Sequence, residues 1–216
     1  ILFSSLPEIK PSEANAEAAG DSTSSGKQSV FQFPHLWLGV LCLFVYVGVE
    51  VLAGDAIGTY GNGFGLPLDH TKYFTAFTLG AMLLGYVVGL ITIPRFVSQE
   101  RYLSISAVLG VVFAIAAYFT KGYVSVGFVA ALGFANAMMW PAIFPLAIKG
   151  LGRFTETGSA LLVMGIAGGA IIPQLFAVLK QHHDFQLVFV ALAVPCYLYI
   201  LFFARYGHRF GKAPQA

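Results

Sequence analysis

LWLGVLCLFVYVGVEVLAGDAIGT, residues 36–59, is the stretch on which the reading of the whole chain turns. Apart from Glu50 and Asp55 it carries no charged side chain, and apolar residues occupy every face of a helix drawn on it. A helix that is apolar all round belongs in a large core or in a membrane. Five comparable runs follow, at about 71–93, 102–120, 123–148, 157–179 and 185–205. Each approaches the roughly 20 residues that a helix needs to cross the hydrocarbon of a bilayer. A transmembrane β-barrel would instead show alternating segments of roughly ten residues. The sequence therefore predicts an all-α integral membrane protein with six transmembrane helices.

Composition agrees with that reading. The 216 residues are 57% hydrophobic and 10% charged, where a soluble domain carries about 25% charge. Of the 12 basic and 10 acidic residues, only Glu50 and Asp55 fall well inside an apolar run; the others lie in the first 35 residues, in the gaps and at the run ends, or in the tail. That distribution excludes a soluble enzyme domain and a nucleic-acid binder with a basic stripe. Cys42 and Cys196 both lie in apolar runs and imply no disulfide or zinc framework. The chain opens on Ile1-Leu-Phe-Ser-Ser-Leu-Pro7, without a Met or the basic start of a signal peptide. Residues 1–6 are expected to be the end of a preceding helix, and the chain a later part of a longer one. Residues 7–35 are read as a flexible cytoplasmic linker. The stretch 7–29 is rich in Pro, Ser, Ala, Glu and Gly, with no aromatic residue to bury. Phe31, Phe33 and Trp37 then mark a membrane boundary. The six-helix bundle is expected over 36–205 and a cytoplasmic tail over 206–216.

Lys and Arg give the orientation. With the linker in the cytoplasm, that side holds Lys10, Lys27, Arg95, Arg101, Lys149, Arg153, Arg205, Arg209 and Lys212, against Lys72, Lys121 and Lys180 opposite. Nine against three over short loops is a positive-inside signal that puts both ends in the cytoplasm. The runs also repeat. The second contains Gly85-x-x-x-Gly89 and ends at Pro94; the fifth contains Gly165-x-x-x-Gly169 and ends at Pro173. The first and fourth both carry a polar residue in mid-run, Glu50 and Asn136. Two three-helix units of opposite topology, as found inside many transporters, would produce that pattern. The Gly-x-x-x-Gly pairs by themselves read as ordinary close packing.

Glu50 is the most informative residue. An acid at mid-bilayer costs at least ~2.5–3.5 kcal/mol, so it faces a cavity or a partner. A structural acid tying two helices together is one reading; a ligand or ion group on an internal pathway is the favoured one. Tyr46 lies one turn earlier on the same face, and Gly48, Gly54 and Gly58 loosen the helix. Asp55, nearer the run's end, is read as reaching interfacial water. Asn136 offers two donors and an acceptor, suited to paired hydroxyls, with an interhelical hydrogen bond as the equal alternative. Trp140 follows one turn later and either stacks on a ring-shaped ligand or packs, while Pro141 and Pro145 bend the helix. Gln174 either lines a cavity or sits at the interface. Tyr86 and Phe77 read as packing residues. His182-His183-Asp184 resembles a metal cluster, but no further ligand is near in sequence and a solvated loop fits better. No HExxH, nucleophile elbow, CxxC or phosphate loop occurs. Nothing points to an enzyme, a metal or an organic cofactor.

The run from Phe134 through Asn136, Trp140-Pro141, Phe144-Pro145, Lys149-Gly-Leu-Gly-Arg153 and Thr157-Gly-Ser159 to Gly168-Gly169 and Pro173 resembles the fucose/glucose–galactose permease family of the major facilitator superfamily. Tyr46-Val-Gly48-Val-Glu50-Val is similar to the start of that family's seventh helix. Trp140 departs from it, standing where Phe is more usual. The resemblance covers about residues 36–205. It implies the C-terminal half of a twelve-helix hexose:cation symporter, working by alternating access against an N-terminal six-helix half. It implies a bacterial inner membrane, a sugar of the glucose, galactose or fucose class, and H+ or Na+ as coupling ion. Glu50, Asn136, Tyr46, Trp140 and Gln174 would then bind the sugar. The rival expectation is a six-helix membrane scaffold or receptor-like subunit that transports nothing.

Overall fold

The computed structural model describes residues 29–93 and 95–211. The expectations for a helix end at 1–6, for most of the linker and for the last five residues of the tail lie outside the described residues. Ten α-helices run α1 Pro34–Gly54, α2 Ile57–Asn62, α3 Leu68–Thr71, α4 Phe74–Thr92, α5 Gln99–Phe119, α6 Gly122–Asn136, α7 Met139–Ile148, α8 Thr155–Met164, α9 Gly168–Leu179 and α10 Phe185–Arg205, and no strand occurs among the described residues. They make six spans long and apolar enough to cross a membrane. Span 1 is α1, span 2 joins α3 to α4, span 3 is α5, span 4 joins α6 to α7, span 5 joins α8 to α9, and span 6 is α10.

Local chemistry sets where these helices start, turn and break. Pro34 opens α1, two residues before the expected start, at a position where a missing N–H costs nothing. Asp184 caps α10, its carboxylate accepting the Leu187 N–H at 2.8 Å. The His182-His183-Asp184 segment is thus a turn and a cap, and no trio of metal-ligating side chains occurs among the described residues. Gly150 and Gly152 take φ of 81° and 52° in the turn between spans 4 and 5, a backbone region that other residues rarely enter. Span 4 breaks between Asn136 and Met139. Pro141 has no N–H for the Ala137 carbonyl and its ring crowds that oxygen, so the helix restarts. Span 5 is interrupted by a single 3-10 turn at Gly165–Ala167. Span 1 gives way to α2 after Gly54, and the Gly54 and Ala53 carbonyls accept from Thr75 and Thr78 of α4 at 2.9 and 3.3 Å. Broken helices survive in a membrane only when their freed carbonyls find such partners.

The packing has an internal symmetry. Span 2 lies on span 4, where a Cβ on Gly85 would sit 2.6 Å from the Phe134 carbonyl and one on Gly89 would strike Met138. Span 5 lies on span 1, where a Cβ on Gly168 would strike the Phe44 carbonyl and one on Gly169 would crowd Val47 and Val51. Exchanging spans 1, 2, 3 with 4, 5, 6 carries the first contact onto the second. It also carries the span 3–span 4 contact onto the span 6–span 1 contact, and returns the span 3–span 6 contact to itself. Two inverted three-helix repeats have this property. Spans 1 and 4 are the most deeply buried, while α4, α5 and α9 expose Leu83, Leu90, Val112, Phe119, Ile171 and Val178. Apolar exposure on that scale marks surfaces that meet lipid or another bundle.

At the end of the bundle opposite the 94–101 and 149–156 loops, Gln186 closes span 3. Its amide donates to the carbonyls of Thr120 and Ala117 at 2.8 and 2.9 Å. Ser125 also donates to Ala117 at 2.6 Å, and Tyr60 of α2 pairs with the Ser125 hydroxyl at 2.7 Å. Spans 3, 4 and 6 and helix α2 are pinned there by one buried polar knot.

Candidate functional site

Helix α1 sets Tyr46 and Glu50 one turn apart, and the Tyr46 hydroxyl donates to Glu50 Oε1 at 2.8 Å. The same hydroxyl lies 3.3 Å from the Asn136 backbone carbonyl. Asn136 is the last residue of α6, immediately before the break that Pro141 imposes. Its side-chain oxygen accepts from the Tyr197 hydroxyl of α10 at 2.9 Å. Spans 1, 4 and 6 thus meet through Glu50, Tyr46, Asn136 and Tyr197.

One donor in this set is unused. Asn136 is 0% exposed and its Nδ2 has no hydrogen-bond partner among the described residues. A buried polar group left unpaired costs about 1–3 kcal/mol, so its persistence calls for a partner in the working protein. Tyr197 fixes which way the amide faces, because its donation holds the oxygen and leaves the NH2 free to serve a ligand. The Tyr197 ring is itself confined, since a Cβ on Gly110 of α5 would come within 2.5 Å of it.

The other expected residues are distributed around this set. Tyr46 is 1% exposed and Glu50 half-buried. Trp140 is half-buried just beyond the break and stacks on Phe144, with ring centroids 6.4 Å apart. Gln174 is exposed on α9, whose buried residues Ile172 and Phe176 face the bundle. Asp55 is exposed at the end of α1, and Phe77 is 63% exposed on α4. Tyr86 is half-buried on α4. Sequence reasoning did not single out Tyr197. Its signal was a phenol near the middle of the 185–205 run, far from the boundary where tyrosines usually anchor.

A helical bundle of two inverted three-helix repeats, with a broken span beside a polar cluster, is the architecture found inside each half of many secondary transporters. No family model matches the chain. It is 31% identical to a glucose/galactose transporter of Brucella abortus over 184 residues, which cover 84% of this chain and 44% of the relative. A putative glucose/galactose transporter of Helicobacter pylori is 29% identical over 85% of this chain and 46% of its own length. The L-fucose-proton symporter of Escherichia coli is 25% identical over 95% of this chain and 47% of its own length. The crystal structure of the major facilitator superfamily transporter FucP in the outward conformation matches with a TM-score of 0.74 and 25% identity, over 80% of this chain and 42% of that one. The chain is a homologue, within the major facilitator superfamily, of glucose/galactose transporters and L-fucose-proton symporters. These relatives are named as transporters and symporters. The chain spans about half the length of the relatives it matches.

Proposed function

We propose that this chain is the C-terminal half of a cation-coupled sugar symporter, carrying a hexose-type sugar by alternating access against an N-terminal six-helix half in a bacterial inner membrane. The observation that carries the proposal is the buried, unpaired Nδ2 of Asn136 beside the Tyr46–Glu50 pair. A carboxylate that accepts and an amide that donates are the complement of two sugar hydroxyls. Glu50 and Asn136 hydrogen-bond the sugar, with Tyr46 holding the carboxylate and Trp140 offering an aromatic face. The names of the relatives, glucose/galactose transporters and L-fucose-proton symporters, support this substrate class and a coupling ion of the H+ or Na+ kind. Gln174 binds sugar only if the second half brings the substrate to its exposed face.

The test is uptake and counterflow of labelled glucose, galactose and fucose by the complete gene product in proteoliposomes. Glu50→Gln and Asn136→Ala are each expected to weaken uptake roughly ten- to hundredfold, as loss of a hydrogen bond to a charged group or the stranding of a buried partner does. Unchanged uptake in both variants would overturn the site. No uptake of any hexose by the wild type would favour the scaffold or receptor-like alternative.

A further inference from the structure

On the face that carries the 94–101 and 149–156 loops, the start of α5 and the end of α10 leave a cleft of ≈ 440 Å³ between them. Arg101 enters it from α5, and Arg205 and Arg209 from the end of span 6. Glu100 and Ser104 also line it, so one carboxylate faces three guanidiniums. None of the three arginines makes an ion pair among the described residues. Arg209 Nε donates to His208 Nε2 at 3.3 Å, while His208 Nδ1 donates to the Phe203 carbonyl at 3.0 Å. That chain holds the Arg209 guanidinium in place without neutralising it. The cleft also has an apolar side: Ile105 lines it, and Ile105, Val108 and Val112 of α5 and Phe202 of α10 are exposed on the spans that rise from it.

We infer that this cleft binds the phosphate of an anionic phospholipid headgroup, with the acyl chains lying along the exposed apolar faces of α5 and α10. Guanidinium groups match phosphate oxygens in pairs, so three arginines lining one cleft, not ion-paired and outnumbering its single carboxylate, suit a phosphate. The first turn of α5 adds the positive end of a helix dipole. Basic clefts between transmembrane helices at the membrane boundary recognise lipid headgroups by these means. A soluble phosphate would satisfy the arginines and leave the adjoining Ile105 and Phe202 surface in water. A lipid satisfies both. The site is separate from Glu50 and Asn136 and does not depend on which substrate is carried.

The test titrates the purified full-length protein in detergent with phosphatidylglycerol, phosphatidylcholine or inorganic phosphate. Adducts are followed by native mass spectrometry and stability by thermal shift. Phosphatidylglycerol is expected to bind, and Arg101→Gln, Arg205→Gln and Arg209→Gln each to weaken it about fivefold, near the worth of one basic residue at an anionic surface. Lys72→Gln, at the opposite end of the bundle, is expected to change nothing, and Arg205→Lys to retain part of the affinity. Each variant's melting temperature without lipid reports whether it has folded. Equal binding of phosphatidylcholine, or phosphatidylglycerol binding unaltered in all three arginine variants, would overturn the inference. Stabilisation by inorganic phosphate as large as that by the lipid would assign the cleft to a soluble phosphate and overturn the lipid.

Discussion

A single hydrogen bond, from Tyr197 to Asn136 Oδ1 at 2.9 Å, decides which end of the Asn136 amide is left for a ligand. Tyr197→Phe keeps the ring against Gly110 and removes only the hydroxyl, so the amide loses its fixed direction. The sugar KM of the full-length protein is expected to rise roughly two- to tenfold, the usual worth of one neutral hydrogen bond. The melting temperature should shift little by comparison, and uptake kinetics indistinguishable from wild type would refute this role for Tyr197. Part of the cluster was legible in the sequence. Glu50 and Asn136 stand out because polar atoms are conspicuous in apolar runs, and the Tyr46–Glu50 contact follows from a spacing of four on a helix. Tyr197 was hidden because a hydropathy pattern counts tyrosine as apolar and its partner lies 61 residues away. Gln174 could not be oriented from sequence either. It stands about 200° around the helix from Ile172, and only the packing of α9 says which of those directions faces the bundle.

Glycine sets the approach of the elements, and here the consequences can be measured. A methyl on Gly168 would meet the backbone oxygen of Phe44, which cannot rotate away as a side chain could. Gly168→Ala is therefore expected to force α9 away from α1 and to destabilise the bundle by about 1–3 kcal/mol, the usual range for overpacking. Gly127→Ala is the control, because Gly127 is exposed on α6 with open space where its Cβ would go. Thermal unfolding in detergent should separate the two; equal melting temperatures would contradict the close approach. The Gly-x-x-x-Gly spacing was readable as close packing before the fold was known. Which partner each pair meets was not readable, because that depends on how the spans assemble. The break after Asn136 was announced by Pro141, since proline frees the carbonyl four residues before it. The 3-10 turn at Gly165–Ala167 had no comparable signal: Pro173 frees the Gly169 carbonyl, which lies beyond the turn. The buried knot around Gln186 was equally silent. A glutamine at the start of a span reads as an interfacial residue until the carbonyls of another helix are brought to it.

At the scale of the whole molecule, six spans and their order were plain from the apolar runs, and the inverted repeat was hinted at by paired motifs that the packing then related by exchange of spans 1–3 with 4–6. The direction in which the bundle crosses the membrane is a separate question that helix packing alone cannot answer, because a bundle inserted upside down has the same internal contacts. Charge does distinguish the two. The loops at 94–101 and 149–156 carry Arg95, Arg101, Lys149 and Arg153, whereas the loops at the other end offer Lys72, Lys121 and Lys180. Basic residues resist translocation, so the first set is expected to stay in the cytoplasm. Ser98 and Gln181 are exposed at opposite ends of the bundle and can report the outcome. Cys42 is buried and Cys196 half-buried within their spans, so this chain adds little background for a membrane-impermeant maleimide once any cysteines elsewhere in the full-length protein are replaced. In right-side-out vesicles holding the full-length protein, Gln181→Cys is expected to label at once and Ser98→Cys only after permeabilisation. The reverse pattern would invert the topology. It would also move the arginine cleft to the outer leaflet, leaving the Tyr46–Glu50–Asn136 cluster near the middle of the membrane in either orientation.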